Sequence, residues 1–384
     1  MGWWIIVYGS VAVALTVAYV LLIYWYLKTW KNLGVWDIPN DFIPATKVTI
    51  LIPARNEAEN ITACLESILH QDYPKKLFEI IVLDDFSEDA TPNLVRRFAT
   101  ANARLIQLKD YINESDTQAF KKKAIEIGVH ESKGDLIVTT DADCVAPAKW
   151  LQYLVSFYQT HQWQLIAAPV NFYQEQNTLE RFQSLDFMGM MCVTASGIHS
   201  GLQKMCNGAN LAYTKSAFEA VNGFDKINHL ASGDDILLMH KIDQRFPNQI
   251  AFLKNVNATI KTKAKPDWAS FFSQRMRWAT KNAGYSDWKV TAVLAMVFFL
   301  CWSIISSLVL GFCSKVFFVV FCIQLLGKTI ADYYFLFQMA NFFERKDLMA
   351  SFLPSQMLHV VYIVMVGTWA NFKKNYTWKG RKVR

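Results

Sequence analysis

Long apolar runs stand at both ends of this chain, and shorter apolar runs alternate with polar residues between them. Residues 3–27 contain no charged side chain and are long enough to cross a bilayer as a helix. Three further runs, at 290–312, 316–338 and about 352–370, also qualify as spanning candidates. The N-terminus shows neither a basic start nor a small-residue cleavage site, so the first run is interpreted as a retained anchor.

The charged residues that flank these runs predict an orientation. Lys28 and Lys31 follow the first run directly, which by the positive-inside rule places the middle of the chain in the cytosol. Three complete spans near the C-terminus would leave the basic tail, 373–384, on the opposite side, against the same rule. One of the three segments is therefore expected to be re-entrant or interfacial, with Gly311 and Pro354 as candidate break points.

The middle of the chain alternates short apolar strands with helical patterns. Strands are predicted at 47–53, 79–85 and 104–109 and in the run that ends at Asp141, and helices at 58–70, 93–99 and 119–131. This alternation predicts an α/β domain with a mostly parallel sheet and right-handed crossovers. Further along, 208–213 is predicted to be a short strand, and 268–282 an amphipathic helix that lies in the membrane interface.

Polar clusters follow three of these strands directly. They are Pro53-Ala-Arg-Asn-Glu57, Asp84-Asp85 and Asp141-Ala-Asp143. Because parallel strands end on the same edge of a sheet, the clusters should converge on one crevice, where open α/β sheets bind ligands. A solvated loop would explain any one cluster, but three in succession favour a site.

The last of these clusters has the chemistry of a metal site. Asp141 and Asp143 stand one residue apart and point the same way from an extended chain. Carboxylate oxygens suit a hard divalent cation, and such a cation suits a diphosphate. A second acidic pair, Gly233-Asp-Asp235, precedes a predicted helix. Capping of that helix would explain Asp234, but it explains Asp235 less well.

Composition narrows the class of protein. Apolar residues make up 53% and charged residues 18% of the 384 positions, which is apolar for a soluble enzyme. The net charge of +7 fits the basic flanks, which favour anionic lipid headgroups as partners. The chain has no compact basic stripe interleaved with aromatic residues, so a nucleic-acid partner is not expected. Seven cysteines without metal-type spacing are interpreted as reduced thiols.

Five motifs, taken in order, resemble a known family. They are Pro53-Ala-Arg-Asn-Glu57, Asp84-Asp85, Asp141-Ala-Asp143, Gly233-Asp-Asp235 and Gln274-Arg-Met-Arg-Trp278. This order is similar to that of membrane-bound family 2 glycosyltransferases, which include cellulose, chitin and hyaluronan synthases and ceramide glucosyltransferase. The resemblance implies a GT-A fold, an α/β nucleotide-diphospho-sugar transferase domain flanked by transmembrane helices.

The resemblance also implies a domain order. An N-terminal anchor is expected at 1–30, a cytosolic GT-A catalytic domain at 45–265, an interface helix with the Gln-x-x-Arg-Trp motif at 266–286, C-terminal membrane segments at 287–372 and a basic tail at 373–384. The protein is accordingly expected to be an integral membrane protein, with its catalytic domain in the cytosol.

The donor side of the site follows from the same resemblance. Pro53 and Glu57 correspond to the motif that packs on the nucleotide base, and Asp85 to the acid that binds the base or ribose. Lys121 corresponds to a lysine that approaches the diphosphate, although the run of three lysines from 121 to 123 leaves this assignment open. Phe86 replaces a glycine that is frequent in the family, so the turn after the second strand is bulkier.

The reacting side is implied in the same way. Asp143, assisted by Asp141, would hold Mg²⁺ or Mn²⁺ against the diphosphate, and Asp235 would be the general base. Asp234 stands where a longer acid often precedes that base, and Glu126 stands where Asn is frequent. The residues expected to line the acceptor mouth are Gln274, Arg277 and Trp278.

The resulting hypothesis is an inverting glycosyltransferase. It would move a sugar from a nucleotide-sugar donor, UDP-linked by family analogy, to a lipid or lipid-linked acceptor at the cytosolic membrane face. Trp378-Lys-Gly-Arg381 resembles the tail of lipid glucosyltransferases and supports that acceptor. A processive polysaccharide synthase is the alternative, although extrusion of a polymer usually needs more spans. A non-catalytic membrane binding subunit is a remote second alternative.

Overall fold

The computed structural model describes residues 2–99, 102–230, 232–280, 288–372, 376–378 and 381–383. The helices are α1 Trp3–Asn32, α2 Ile61–Leu69, α3 Thr91–Arg96, α4 Phe120–His130, α5 Trp150–His161, α6 Thr178–Ser200, α7 Lys215–Ala220, α8 Ile236–Arg245, α9 Trp268–Thr280, α10 Trp288–Gly311, α11 Lys315–Phe342 and α12 Phe352–Phe372. The strands are β1 Val48–Ala54, β2 Phe78–Asp84, β3 Ala103–Gln107, β4 Leu136–Thr139, β5 Leu165–Ala167, β6 Val170–Phe172, β7 Leu211–Thr214, β8 Ile250–Phe252, β9 Ile260–Thr262, β10 Tyr376–Trp378 and β11 Arg381–Val383.

The chain divides into two compact units. One contains residues 34–173, 197–263 and 377–384, and it holds the sheet; the other contains residues 1–33, 174–196 and 264–376, and it is helical. We call them the sheet unit and the helical unit.

A seven-stranded sheet in the order β3-β2-β1-β4-β7-β5-β8 organises the sheet unit. Strands β3, β2, β1 and β4 run parallel, β7 is antiparallel to both of its neighbours, and β5 and β8 are parallel to each other. The mostly parallel α/β sheet predicted from the alternation of strands and helices is confirmed. Parallel β1, β2 and β4 end on the same edge, so their polar caps lie on neighbouring strands.

The core of the sheet unit follows from its apolar strands. Ile50, Leu51 and Ile52 of β1 are fully buried, as expected for a central parallel strand covered on both faces. Helix α4 lies close to this sheet at Gly128, where an added Cβ would come within 2.8–2.9 Å of the Leu83 and Leu51 side chains. A larger residue at Gly128 would push α4, which begins at Phe120, away from the strands.

The strands predicted in the first half agree with the structure to within one or two residues. Pro53 does not end β1, however, because the strand continues to Ala54 and pairs with β2 along its whole length. The sequence did not predict α5, the 23-residue helix α6, or strands β5, β6, β8 and β9. The three-residue strands are too short to show a period of two.

Among the residues that the structure describes, four helices of the helical unit are long and apolar enough to cross a membrane: residues 3–32, 288–311, 315–342 and 346–369. Within this unit α11 packs against α1 and α10, and α12 packs against α10 and α9. Lys328 and Asp332 form a buried ion pair within α11, and Tyr19 of α1 donates a hydrogen bond to the same aspartate. Each of these two buried charges therefore has a partner within the helical unit.

Candidate active site

A buried arginine joins the caps of β1 and β2. The Arg55 guanidinium, in the first polar cluster, donates to the backbone carbonyls of Asp85 (2.9 Å) and Phe86 (2.8 Å). Phe86 has φ +50°, in the left-handed region that glycine adopts more easily. Arg55 therefore stabilises a turn in which Phe86 adopts a costly backbone conformation, and it fixes the backbone of Asp85.

The Asp85 side chain is buried and bound by a residue from the C-terminal tail. Arg381 Nη1 donates to both carboxylate oxygens of Asp85, at 2.7 and 2.9 Å. Its Nε and Nη2 donate to Oε1 of Glu114, at 2.9 and 2.6 Å. The guanidinium carbon lies 3.7 Å from the centroid of the Phe120 ring. Burial raises the pKa of Asp85, although the hydrogen bonds and charge of Arg381 oppose this rise.

Lys121, at the start of α4, lies between two of the predicted acids. Its Nζ is 2.8 Å from Asp141 Oδ1 and 3.3 Å from Asp234 Oδ2. Burial lowers the pKa of Lys121, but the nearby charges of Asp141 and Asp234 outweigh burial, so its pKa is raised and the ammonium is retained. Asp141, which follows β4, and Asp234, which precedes α8, thus contact the same ammonium group.

The three consecutive lysines have different partners. Lys122 is 1% exposed, and its Nζ donates to the carbonyls of Ile227 and Leu230, both at 2.7 Å. Lys123 lies on the surface and forms an i,i+3 ion pair with Glu126. Of the three lysines, Lys121 is the one that contacts the predicted acids Asp141 and Asp234. Lys122 instead holds the loop that leads to Asp234.

Asp235 immediately precedes α8 and lies beside Gly208. Its Oδ1 accepts from the Ile236 N–H at 2.8 Å, and its Oδ2 accepts from the Gly208 N–H at 3.3 Å. The expectation that capping explains Asp234 better than Asp235 is wrong, because Asp235 is the N-cap residue of α8 while Asp234 pairs with Lys121. Two backbone donors hold the Asp235 carboxylate in place.

Gly208 keeps open the space between these groups. A Cβ at Gly208 would lie 3.4 Å from Asp234 Oδ2 and 3.6 Å from Lys121 Nζ. The Gly208 carbonyl accepts from Thr139 Oγ1, at the end of β4, at 2.8 Å. The glycine is thereby fixed at the carboxyl edge of the sheet, where its lack of a side chain leaves room beside the cation.

Two buried thiols flank the predicted metal pair. Cys64 Sγ lies 3.7 Å from the Asp141 carbonyl oxygen, and Cys144 Sγ lies 3.7 Å from Asp143 Oδ1. Burial raises the pKa of both thiols, and the charges of Asp143 and Asp141 raise it further. Both cysteines are therefore protonated near neutral pH.

The side chains around Asp141 and Asp143 show whether a divalent cation fits there. Within the described parts of the chain, no group of three or more His, Cys, Asp or Glu side chains is arranged to hold a metal ion. Asp141 and Asp143 still offer hard oxygen ligands. A pair of carboxylates suffices for Mg²⁺, which usually takes its other ligands from water and substrate phosphates. The residues therefore fit a metal bound together with a diphosphate.

Two further residues, Pro53 and Glu57, are predicted to contact the nucleotide base. Pro53 is half-buried within β1, and Glu57, also half-buried, accepts from Asn60 Nδ2 at 2.9 Å. The backbone N–H of Glu57 donates to Thr91 Oγ1 at 2.8 Å, which ties this motif to the start of α3. Both residues therefore stand at the edge of the sheet where Asp85 lies.

The Gln-x-x-Arg-Trp residues lie on α9, in the helical unit. Gln274, Arg277 and Trp278 are half-buried, and the described residues offer Gln274 Oε1 no hydrogen-bond partner. The structure also shows a role for Arg275, which lies inside the motif. Arg275 is 2% exposed, forms a 2.6 Å ion pair with Asp186 of α6 and lies 4.7 Å from the Trp278 ring.

Several residues of this region were not predicted as site residues. Four of them make contacts that depend on tertiary structure: Arg55, Lys122, Glu114 and Phe120. Arg55 and Lys122 lie inside motifs that the sequence pointed out, but the sequence gave no signal for Glu114 and Phe120. Arg381 stands within the tail that resembles lipid glucosyltransferases, so the signal was present, but it did not indicate a contact with Asp85.

Comparison with known proteins identifies the family. The model of "Glycosyl transferase family 2" matches residues 49–221, and that of "Glycosyl transferase family group 2" matches residues 136–369, more than half of the chain. This chain is a family 2 glycosyltransferase. The enzyme class inferred from the motif order is therefore confirmed.

A solved structure supports the fold. The mannosyltransferase PcManGT from Pyrobaculum calidifontis, in complex with GDP-Man and Mn²⁺, aligns with a TM-score of 0.55 at 20% identity, over 96% of this chain and 93% of that one. Together with the family match, this likeness confirms the GT-A fold.

Two curated relatives show what this glycosyltransferase is similar to. Glycosyltransferase AglE of Haloferax volcanii is 32% identical over 191 residues, which is 49% of this chain and 59% of AglE. The dolichyl N-acetyl-alpha-D-glucosaminyl phosphate 3-beta-D-2,3-diacetamido-2,3-dideoxy-beta-D-glucuronosyltransferase of Methanococcus voltae is 30% identical over 112 residues, which is 29% of this chain and 34% of that protein. The chain thus matches less than two thirds of the length of either relative.

Proposed function

We propose that this glycosyltransferase moves a sugar from a UDP-linked donor to a hydroxyl of a lipid or lipid-linked acceptor, with inversion at the anomeric carbon. One observation carries the proposal. The Lys121 ammonium lies between Asp141 and Asp234, beside Gly208, at the carboxyl edge of the sheet. A cation among acids at this edge is suited to a diphosphate with its counter-ion on one side and a reacting hydroxyl on the other.

The donor would be held by groups at the ends of β1, β2 and β4. Pro53, Glu57 and Asp85 would contact the base and ribose, and Lys121 would approach the diphosphate. Asp143 and Asp141 would hold Mg²⁺ or Mn²⁺, which when bound neutralises negative charge on the diphosphate. Lys121 pairs with Asp141 at 2.8 Å in this structure, so the lysine would exchange part of this contact for phosphate oxygens as the donor binds.

The acceptor would react beside Asp235. The Asp235 carboxylate would take the proton of the acceptor hydroxyl as that oxygen forms a bond to the anomeric carbon. The bond from this carbon to the diphosphate oxygen breaks in the same displacement, and the nucleoside diphosphate leaves. Inversion follows, so an α-linked donor gives a β-linked product. The backbone donors of Gly208 and Ile236 would keep the carboxylate aimed at the hydroxyl.

The acceptor class and the membrane face rest on other observations. Four helices are long and apolar enough to span a membrane, so an acceptor anchored in lipid would be presented to the enzyme in two dimensions. The relative from Methanococcus voltae is named for a dolichyl phosphate-linked acceptor. Gln274, Arg277 and Trp278 would line the acceptor mouth. Lys28 and Lys31, after the first span, support a cytosolic location for the catalytic unit.

The proposal can be tested with purified enzyme in lipid. Nucleotide release is followed with UDP-linked donors, Mn²⁺ or Mg²⁺ and a lipid extract, for the wild type, Asp235→Asn and the exposed control Asp110→Asn. Loss of a general base should lower kcat by about 10²–10⁴. Turnover of Asp235→Asn at the wild-type rate would remove Asp235 from the base role. Mass spectrometry of the product separates the acceptors, since a ladder of added sugars would indicate a processive synthase instead.

A further inference from the structure

We infer that Arg381 of the C-terminal tail is a positioning residue of the nucleotide-donor site, which it completes by fixing the Asp85 carboxylate. This inference rests on the proposed function, in which Asp85 contacts the base or ribose. Arg381 stands 296 residues after Asp85 in the chain, yet residues 377–384 belong to the same compact unit as the sheet. The donor site would therefore depend on a segment that follows all four of the long apolar helices.

The contact between Arg381 and Asp85 is buried and hydrogen-bonded at several atoms. The side chain of Arg381 is 12% exposed and that of Asp85 is 4% exposed, so the pair is largely shielded from solvent. Both oxygens of Asp85 accept from a single nitrogen of Arg381, and the other two nitrogens bind Glu114. Because the guanidinium is planar and its nitrogens bind both acids, it holds the Asp85 carboxylate in one orientation.

Arg381 also connects two segments that frame the donor. Asp85 follows β2, whereas Glu114 precedes α4 and Phe120 is the first residue of α4, next to Lys121. The guanidinium stacks on Phe120 at 3.7 Å and lies 5.6 Å from the Phe86 ring. Phe86 and Phe120 contact each other edge to face at 6.1 Å. The arginine thus holds the base end and the diphosphate end of the predicted site at a fixed separation.

The carboxylate retains the capacity to bind a ligand. An ionised carboxylate has about four acceptor sites on its two oxygens, and Arg381 occupies two of them. The remaining sites can accept an N–H of a base or a ribose hydroxyl. With Arg381 removed, Asp85 would be a buried acid lacking the cation that balances it, and its side chain could turn away from the donor.

The test compares nucleotide affinity and turnover in Arg381→Ala, Arg381→Lys and Arg96→Ala, the last being an exposed arginine of the same unit. Binding of UDP is measured by calorimetry and turnover by nucleotide release. Arg381→Ala should raise the Kd of UDP and the KM of the donor at least about tenfold, with a smaller change in kcat. A lysine ammonium cannot bind Asp85 and Glu114 in the same fork, so Arg381→Lys should be intermediate.

The outcomes separate the two proposals. Wild-type UDP affinity in Arg381→Ala would overturn the positioning role and leave the proposed function in place. Tighter UDP binding by Arg381→Ala would also overturn it, because the tail would then compete with the donor. If the wild type binds no nucleoside diphosphate, the proposed function fails, and the inference fails with it. Thermal unfolding shows whether each variant is folded, and Arg381→Lys supplies the comparison if Arg381→Ala is not.

Discussion

The three adjacent lysines at 121–123 permit a sharp prediction, because each has a different partner. Lys122 is buried and donates to the carbonyls of Ile227 and Leu230, which precede the acidic pair before α8. Hydrogen bonds from a charged donor contribute about 1.5–3 kcal/mol each, so removing both costs about 3–6 kcal/mol. Methionine keeps the apolar stem and removes the burial cost of the charge, so we expect a net loss of about 2–4 kcal/mol in Lys122→Met.

The loss should appear in both stability and turnover. A domain of this size shifts its melting midpoint by about 2–4 °C per kcal/mol, so Lys122→Met should melt about 4–16 °C below the wild type. Release of the loop would displace Asp234 and Asp235, and a displacement near 1 Å can lower kcat by about 10²-fold. Thermal unfolding and nucleotide release measure the two effects in one preparation.

The neighbouring variants are the controls. Lys123→Met removes a surface ion pair and should change stability by less than about 1 kcal/mol, with wild-type kcat. Lys121→Met removes the cation between Asp141 and Asp234 and should mainly weaken nucleotide binding. If Lys122→Met melts and turns over like Lys123→Met, the two carbonyl contacts do not hold the loop. If it weakens nucleotide binding as Lys121→Met does, Lys122 is the lysine of the diphosphate.

Three further outcomes are expected. Gly208→Val should lower kcat/KM at least about tenfold with an unchanged circular dichroism spectrum, since its side chain would fill the space beside Asp234. Arg55→Met should destabilise the protein by about 2–4 kcal/mol in thermal unfolding, because two buried carbonyls lose a charged donor. Burial raises the pKa of the Cys64 and Cys144 thiols, so iodoacetamide at pH 8 should label them only after denaturation, as mass spectrometry would show. Their contribution to stability is present below about pH 8.5, the unfolded pKa, and is lost as pH rises.

Sequence reasoning worked where one local signal was sufficient. The strand from Val48 to Ala54 is an apolar run with a polar cap, and parallel pairing brings that cap beside the cap of β2. The same reasoning selected Asp141 as a candidate, because it follows an apolar run directly. It was less successful where the signal was short or distributed, as in the three-residue strands at the far edge of the sheet.

Side-chain partners were the part that sequence could not supply. Nothing local distinguishes Lys121 from Lys122, because both stand in one basic run and differ only in the face of α4 that they occupy. Capping was assigned to the wrong acid of the pair before α8. A shift of the helix start by one residue changes which of the two carboxylates caps the helix, and the sequence does not fix that start so closely. Contacts across about 300 residues, such as that of Arg381 with Asp85, depend on the completed fold.

The Arg381–Asp85 contact also restricts how many times the chain between these two residues crosses a bilayer. Two side chains that touch occupy the same compartment, so the chain between them must cross an even number of times. Three helices long enough to cross, α10, α11 and the helix that ends in α12, lie between these two residues. Three is odd, so traversal of the bilayer by all three of them is incompatible with this contact. A pair of hydrogen bonds therefore limits the membrane topology more tightly than the lengths of the helices do.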